Sequence, residues 1–165
     1  KPPADLKGAV IRTPGADPYV ESISAMGATP YNIAWSEVYN GIQTKSIDGC
    51  EVQYTSAVSS KIYEVCEYVS KTEHINLVIC GQAWFDKLPA EYQEVMKKDF
   101  NDCAYNNAQD IIAAQADMEK TLTDNGMTIV EVDKDVFREA VKPAYEKLGW
   151  TELREQLYKE AGVEA

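Results

Sequence analysis

Residues 90–124 carry one unbroken helical pattern, and few folds can accommodate it. Tyr92, Met96, Phe100, Cys103, Ile111, Ala114, Met118 and Leu122 recur at three- and four-residue spacing, which sets them along one helix face. Asn125-Gly126 caps the pattern. At 1.5 Å per residue such a helix is roughly 50 Å long. That is longer than one small lobe needs, so part of it extends beyond any core such a lobe can supply.

The residues before it alternate strands with helices. Ala9-Val10-Ile11 reads as a short buried strand, turned by Pro14-Gly15. A helix opens at Asp17 or Pro18, runs through Met26 and ends at Gly27. Thr29 to Ile33 is a second strand. A helix over 36–45 follows, with Ser36 as its N-cap and Val38, Ile42 and Tyr39 on its apolar face. Asp48-Gly49 breaks the helix-to-strand passage, Gly49 supplying a positive φ. Residues 49–53 then alternate as a third strand. This β-α-β-α-β order predicts a parallel sheet with right-handed crossovers. Ser59 to Glu64 reads as a helix, and Cys66 to Val69 and Ile75 to Cys80 as strands. A short helix closes at Leu88-Pro89, Met127 to Val132 is a last strand, and 134–147 and 151–161 are helices.

Composition excludes several functions. A chain of 165 residues with 45% hydrophobic content can bury a core, and no run of about 18 apolar residues exists to span a membrane. The net charge of −11 argues against nucleic acid and anionic membrane surfaces. An anionic ligand would need a discrete arginine to overcome that field. Cys50, Cys66, Cys80 and Cys103 show no CxxC or zinc spacing. They read as buried free thiols, with a disulfide as the alternative in an exported protein. His74 has only Glu73 beside it and reads as structural. Neither a G-x-S-x-G elbow nor a nucleophile–His–acid set is present, so the chain is not expected to be an enzyme, and no cofactor or metal is implied.

Trp35-Ser36-Glu37-Val38-Tyr39, then Gln43-Thr44, then Ile47-Asp48-Gly49-x-Glu51, form a signature. It resembles that of the substrate-binding proteins of TRAP transporters, the DctP-like family. Asp5-Leu6-Lys7-Gly8, Ile11-Arg12-Thr13-Pro14-Gly15, Lys61 to Val65, Leu88-Pro89 and Val141 to Tyr145 fall in the family's order and spacing. The resemblance covers roughly residues 5–148. It implies a periplasmic-binding-protein-like α/β lobe with a mainly parallel sheet flanked by helices, plus a long bracing helix. Residues 1–77 and 125–165 would form the second, ligand-binding lobe. Residues 78–124 would hold the crossover strand, a remnant of the first lobe and the spanning helix. The location implied is periplasmic or extracytoplasmic. The lack of a signal peptide at Lys1-Pro2-Pro3 is expected where a chain starts deep inside a family member.

Arg12 is the leading site candidate. It ends a strand, at the mouth of the sheet, and its planar fork matches a carboxylate bidentately; the alternative is a structural ion pair. By resemblance it aligns with the arginine that clamps the substrate carboxylate. Trp35 would wall the cleft or pack in the core. Cys50, Glu51 and Val52 sit where the third strand meets the cleft. The family commonly has a polar or aromatic side chain at the position of Val52, with an amide typical of sialic-acid binders. Valine cannot hydrogen-bond a ligand, so a smaller or partly apolar organic acid is expected. In some members the carboxylate matching Glu51 helps bind a cation; here no other ligands for a cation are identifiable, and Glu51 reads as a structural hydrogen-bond acceptor. Asn76 could face the hinge.

The resulting expectation is a binding protein. It would hold a small carboxylate between two lobes and deliver it to TRAP membrane permease subunits. The alternative is a truncated α/β fragment acting as an oligomerisation or interaction module, a homodimer through the long or C-terminal helices.

Overall fold

The computed structural model describes residues 3–72 and 78–162. Strands β1 (Val10–Thr13), β2 (Thr29–Asn32) and β3 (Gly49–Cys50) form a parallel sheet in the order β2-β1-β3. Arg12 lies opposite Tyr31 on one side and Cys50 on the other. Helices α1 (Asp17–Ala25) and α2 (Trp35–Gln43) make the crossovers that parallel neighbours require. The α/β class and the strand–helix order are as expected.

Three local readings need correction. Helix α2 begins one residue early: its N-cap is Ala34, not Ser36. Alanine has no capping oxygen, but Glu37 reaches back and its Oε2 accepts the Ala34 N–H at 3.3 Å, one half of a capping box. The exit from α2 takes its positive φ at Lys45 (φ 62), not at Gly49. Asp48 acts instead as a pin, its carboxylate accepting the Val10 N–H at 2.8 Å while its own N–H donates to the Val10 carbonyl at 2.7 Å. Strand β3 stops at Cys50, and helix α3 (Tyr54–Ser59) takes the residues read as its continuation. Five alternating residues are too few for a period of two to be decisive.

Gly41 shows why α2 lies so close to the sheet. A Cβ there would approach the side chains of Ile47 and Ile33 to 3.2–3.3 Å. The core gathers below: Val38, Ile42, Ile47, Ala57, Ile62, Leu122 and Met127 form one buried cluster. Tyr39, read as core, is half-buried, and its hydroxyl donates to Glu64 Oε2 at 2.7 Å.

A second parallel pair joins β4 (Tyr68–Lys71) to β5 (Thr128–Glu131). Between them run α4 (Gln82–Phe85) and the long helix α5 (Ala90–Asp124), whose 35 residues match the expected span. Of the strand expected over 75–80, Ile75 to Leu77 lie outside the described residues, and Val78 to Cys80 are irregular and exposed. Helices α6 (Lys134–Lys147) and α7 (Thr151–Ala161) close the chain, and α6 packs on α1. Among the described residues no helix is long and apolar enough to cross a membrane.

The cysteines divide. Cys50 and Cys66 are half-buried and pack on the core, whereas Cys80 and Cys103 are exposed, and all four are free thiols. Cys103 lies on the apolar stripe of α5, but in a part of that helix with nothing packed over it.

Candidate functional site

Three parallel strands bring their C-terminal ends to one edge of the sheet, where ligands of α/β folds tend to lie. Arg12, near the end of β1, is held there at two points. Its Nε donates to the Ile33 carbonyl at 3.2 Å and its Nη1 to Glu51 Oε1 at 3.2 Å. Nη2 has no hydrogen-bond partner among the described residues. The guanidinium also lies 5.5 Å from the centre of the Trp35 ring, within cation–π range. Trp35 is fixed in turn, its Nε1 donating to Ser60 Oγ at 3.2 Å. The result is a relay of Ser60, Trp35, Arg12 and Glu51. Arg12's side chain is only 11% exposed, Glu51's 36%. The arginine end of this pair is shielded from solvent, while the carboxylate end stays open to screening.

The other expected residues separate. Cys50 backs the pair from β3. Burial above all pushes its thiol from the ordinary 9.0 to about 12, with Cys66 and Glu51 adding to the effect and Arg12 opposing it. Burial of this kind disfavours the thiolate, the form that acts as a nucleophile. Val52 packs against the core cluster. Asn76 and His74 lie outside the described residues.

The sequence reading passed over two features of this edge. Asn32, at the end of β2, stands against the loop after β1: a Cβ on Gly15 would fall 2.5 Å from its Nδ2. Strand-end position alone could have flagged it. The second is a cleft of about 220 Å³ lined by Pro18, Tyr19, Ser22, Ile23 and Glu51, which no spacing rule reveals because α1 and Glu51, the residue after β3, come together only in the fold. Among the described residues no group of three or more His, Cys, Asp or Glu could hold a metal ion.

The sequence profile of the DctP family, described as bacterial extracellular solute-binding protein, family 7, matches residues 1–150. The chain belongs to this family. A solute-binding protein of Chromohalobacter salexigens is 35% identical over 150 residues, covering 88% of this chain and 44% of that protein. The C4-dicarboxylate-binding periplasmic protein DctP of Vibrio cholerae is 28% identical over 151 residues, covering 88% and 46%. The crystal structure of a TRAP periplasmic solute-binding protein from Escherichia fergusonii, in an apo open state, superposes with a TM-score of 0.83 at 34% identity, covering 96% of this chain and 55% of that one. The chain thus spans about half the length of the relatives it matches. DctP-family proteins are extracellular or periplasmic solute-binding proteins, not enzymes.

Proposed function

We propose that this chain is the ligand-binding lobe of a TRAP-type solute-binding protein, and that it captures a small organic acid with Arg12 as the carboxylate clamp. The observation that carries the reading is the state of Arg12: almost buried, at the carboxyl end of the sheet's strands, and held by Ile33, Glu51 and Trp35. A guanidinium fixed in this way loses little freedom on binding. Its attraction for a carboxylate strengthens once a second surface closes over it and excludes water. Residues 1–77 and 125–165 would form this lobe. Residues 78–124 would cross to the other lobe and back along α5, and the closed protein would deliver its ligand to the membrane permease. The name of the Vibrio cholerae relative, a binder of C4-dicarboxylates, supports the ligand class.

Thermal shift with a panel of small carboxylic acids, on the protein at its natural length, tests the clamp. A ligand that binds only the folded state raises apparent stability by mass action. Arg12→Ala should remove the shift, since charge-assisted hydrogen bonds contribute about 1.5–3 kcal/mol. Arg12→Lys keeps the charge but loses the fork and the stacking, and should weaken binding at least about tenfold. Undiminished affinity in both variants would refute the clamp.

A second reading, self-association, is favoured by the bare face of α5, where Phe100, Ile111 and Ile112 are all exposed. Light scattering decides it: a strict monomer at natural length rules it out.

A further inference from the structure

Helix α7 lies outside the Arg12 site and outside the family match, which stops at residue 150. It has eleven residues, packs on α6, and buries none of its side chains. Isolated helices of that length are marginal in water. Its apolar residues nonetheless share one face. Trp150 at the N-cap, then Leu153, Leu157 and Tyr158, recur at three- and four-residue spacing. Trp150, Leu153 and Leu157 are exposed. Together with Arg154 and with Tyr145 of α6, this face lines a groove of about 180 Å³.

Arg154 sets the groove apart. The chain has three arginines. Arg12 pairs with Glu51 and Arg138 with Asp135. Arg154 has no carboxylate partner among the described residues. Its guanidinium lies instead 4.4 Å from the centre of the Tyr158 ring and 5.4 Å from that of Tyr145, both within cation–π range. The rings hold the fork at the groove and leave its N–H groups for another acceptor. The other polar side-chain groups of the lining are two phenol hydroxyls and an indole N–H, and each of them can donate.

We propose that this groove docks an amphipathic helix of a partner protein, one that presents two aliphatic side chains a turn apart with a carboxylate beside them. Charge complementarity selects the carboxylate, because the groove offers a stacked guanidinium and neutral donors with no acidic residue on its lining. Composition selects a protein surface. Trp, Tyr and Arg are the residues in which binding hot spots concentrate, and here they stand beside two exposed leucines. Size points the same way. Pockets for drug-sized ligands begin at roughly 300 Å³, so this groove suits an anchoring side chain, while the leucines need a broader surface to cover them. A helix laid into an apolar groove is a recurrent mode of recognition. A second copy of this chain would bring a further net charge of −11 to the contact, which opposes association. A helix with one carboxylate brings a single charge, and Arg154 meets it. Once leucines on both sides exclude water, that pair strengthens.

Fluorescence anisotropy on the protein at its natural length tests the assignment. The probes are three labelled amphipathic helical peptides of about 15 residues, identical except for glutamate, glutamine or lysine beside a leucine pair. The glutamate peptide should bind at least about tenfold tighter than the glutamine peptide, and the lysine peptide weakest of all. Arg154→Gln should make the glutamate and glutamine peptides equal. Arg154→Lys should keep part of the difference, because the charge stays and the fork is lost. Leu157→Asp should abolish binding of all three. No side chain of α7 is buried, so its melting temperature should stay close to that of the unsubstituted protein. Equal binding of the glutamate and glutamine peptides, binding by none of the three, or a preference that survives Arg154→Gln would overturn the proposal. So would a dimer in light scattering that Leu157→Asp dissociates, since the groove would then belong to a second copy.

Discussion

The two ends of α5 carry the same apolar stripe and live in different surroundings. Over 115–124 the helix is anchored: Leu122 is wholly buried, and Gln115, Met118, Glu119 and Thr121 are half-buried. Over 90–114 every residue is exposed except Gln93 and Met96. Tyr92, Val95, Phe100, Tyr105 and Ile112 are each about half or more open to solvent. Helix formation is local and cooperative, and 35 residues are ample for it. Burial is not local, because it needs a second surface. The comparison separates what a helix says about itself from what it says about its neighbours. The stripe over 90–114 is patterned for a cover, yet the described residues leave it bare.

The largest contrast should appear in stability. Leu122→Ala removes a fully buried side chain from the central cluster and should cost about 2–5 kcal/mol. Phe100→Ala, on the bare stretch, should fall within about 0.5 kcal/mol of the unsubstituted chain. Denaturant midpoints measured on this chain decide it, and a Phe100 effect as large as that of Leu122 would break the comparison. Hydrogen exchange sharpens it further. Amides over 90–112 should open at lower free energy than those over 115–124, because few apolar contacts hold them closed.

The thiols report the same division on a smaller scale. Cys103 on the bare stretch and the exposed Cys80 should react with a maleimide at once, while Cys50 and Cys66 are protected by packing. Burial raises both protected thiols, Cys50 to about 12. A group whose acidity is suppressed in the folded state stabilises it below the unfolded value. That contribution is lost as pH rises from about 9 towards 12, where only the unfolded chain can ionise. Cys50→Ala should therefore flatten the alkaline fall in stability, and an unchanged slope would show that the thiol is not held protonated by the fold.

How much of this was legible from sequence follows from the same logic. The span of α5 was readable to the residue, as were α6 and α7, because their signals are periodic and their ends carry Asn125-Gly126 and Asp133. The early start of α2 was not, because Ala34 has no capping atom and the cap is supplied by Glu37 from inside the helix. Nor was the start of α3, where Val52 and Tyr54 look like strand but pack against the core from a loop and a helix. At the site, Arg12 and Glu51 are 39 residues apart in the chain. Only the family resemblance suggested that they belong together, and nothing suggested the cleft. That part of α5 outruns one lobe's core followed from its length, but which residues stay bare did not, because a sequence declares an apolar face without saying what covers it.

The smallest effect concerns how the anchored end is tied down. Lys71 on β4 reaches Glu119 Oε1 on α5 at 3.0 Å and Glu131 Oε1 on β5 at 3.4 Å. The hydrogen bond to Glu119 holds the lysine above its ordinary 10.5. Gln115 first, and Lys71 second, hold Glu119 below its ordinary 4.5. The lysine's contribution is complete below pH 10.5 and fades as pH rises through its elevated value. Glu119's is complete above pH 4.5 and fades as pH falls through its lowered value. Between those limits the tie should be intact, and Lys71→Met should lower the melting temperature by much less than Leu122→Ala does. The loss should shrink in about 0.5 M salt, as expected of partly exposed charges. An equal loss at high salt, or the same loss at pH 3, would mean that Lys71 works through packing of its stem and not through charge. The anchored end of α5 would then be held by apolar contact alone.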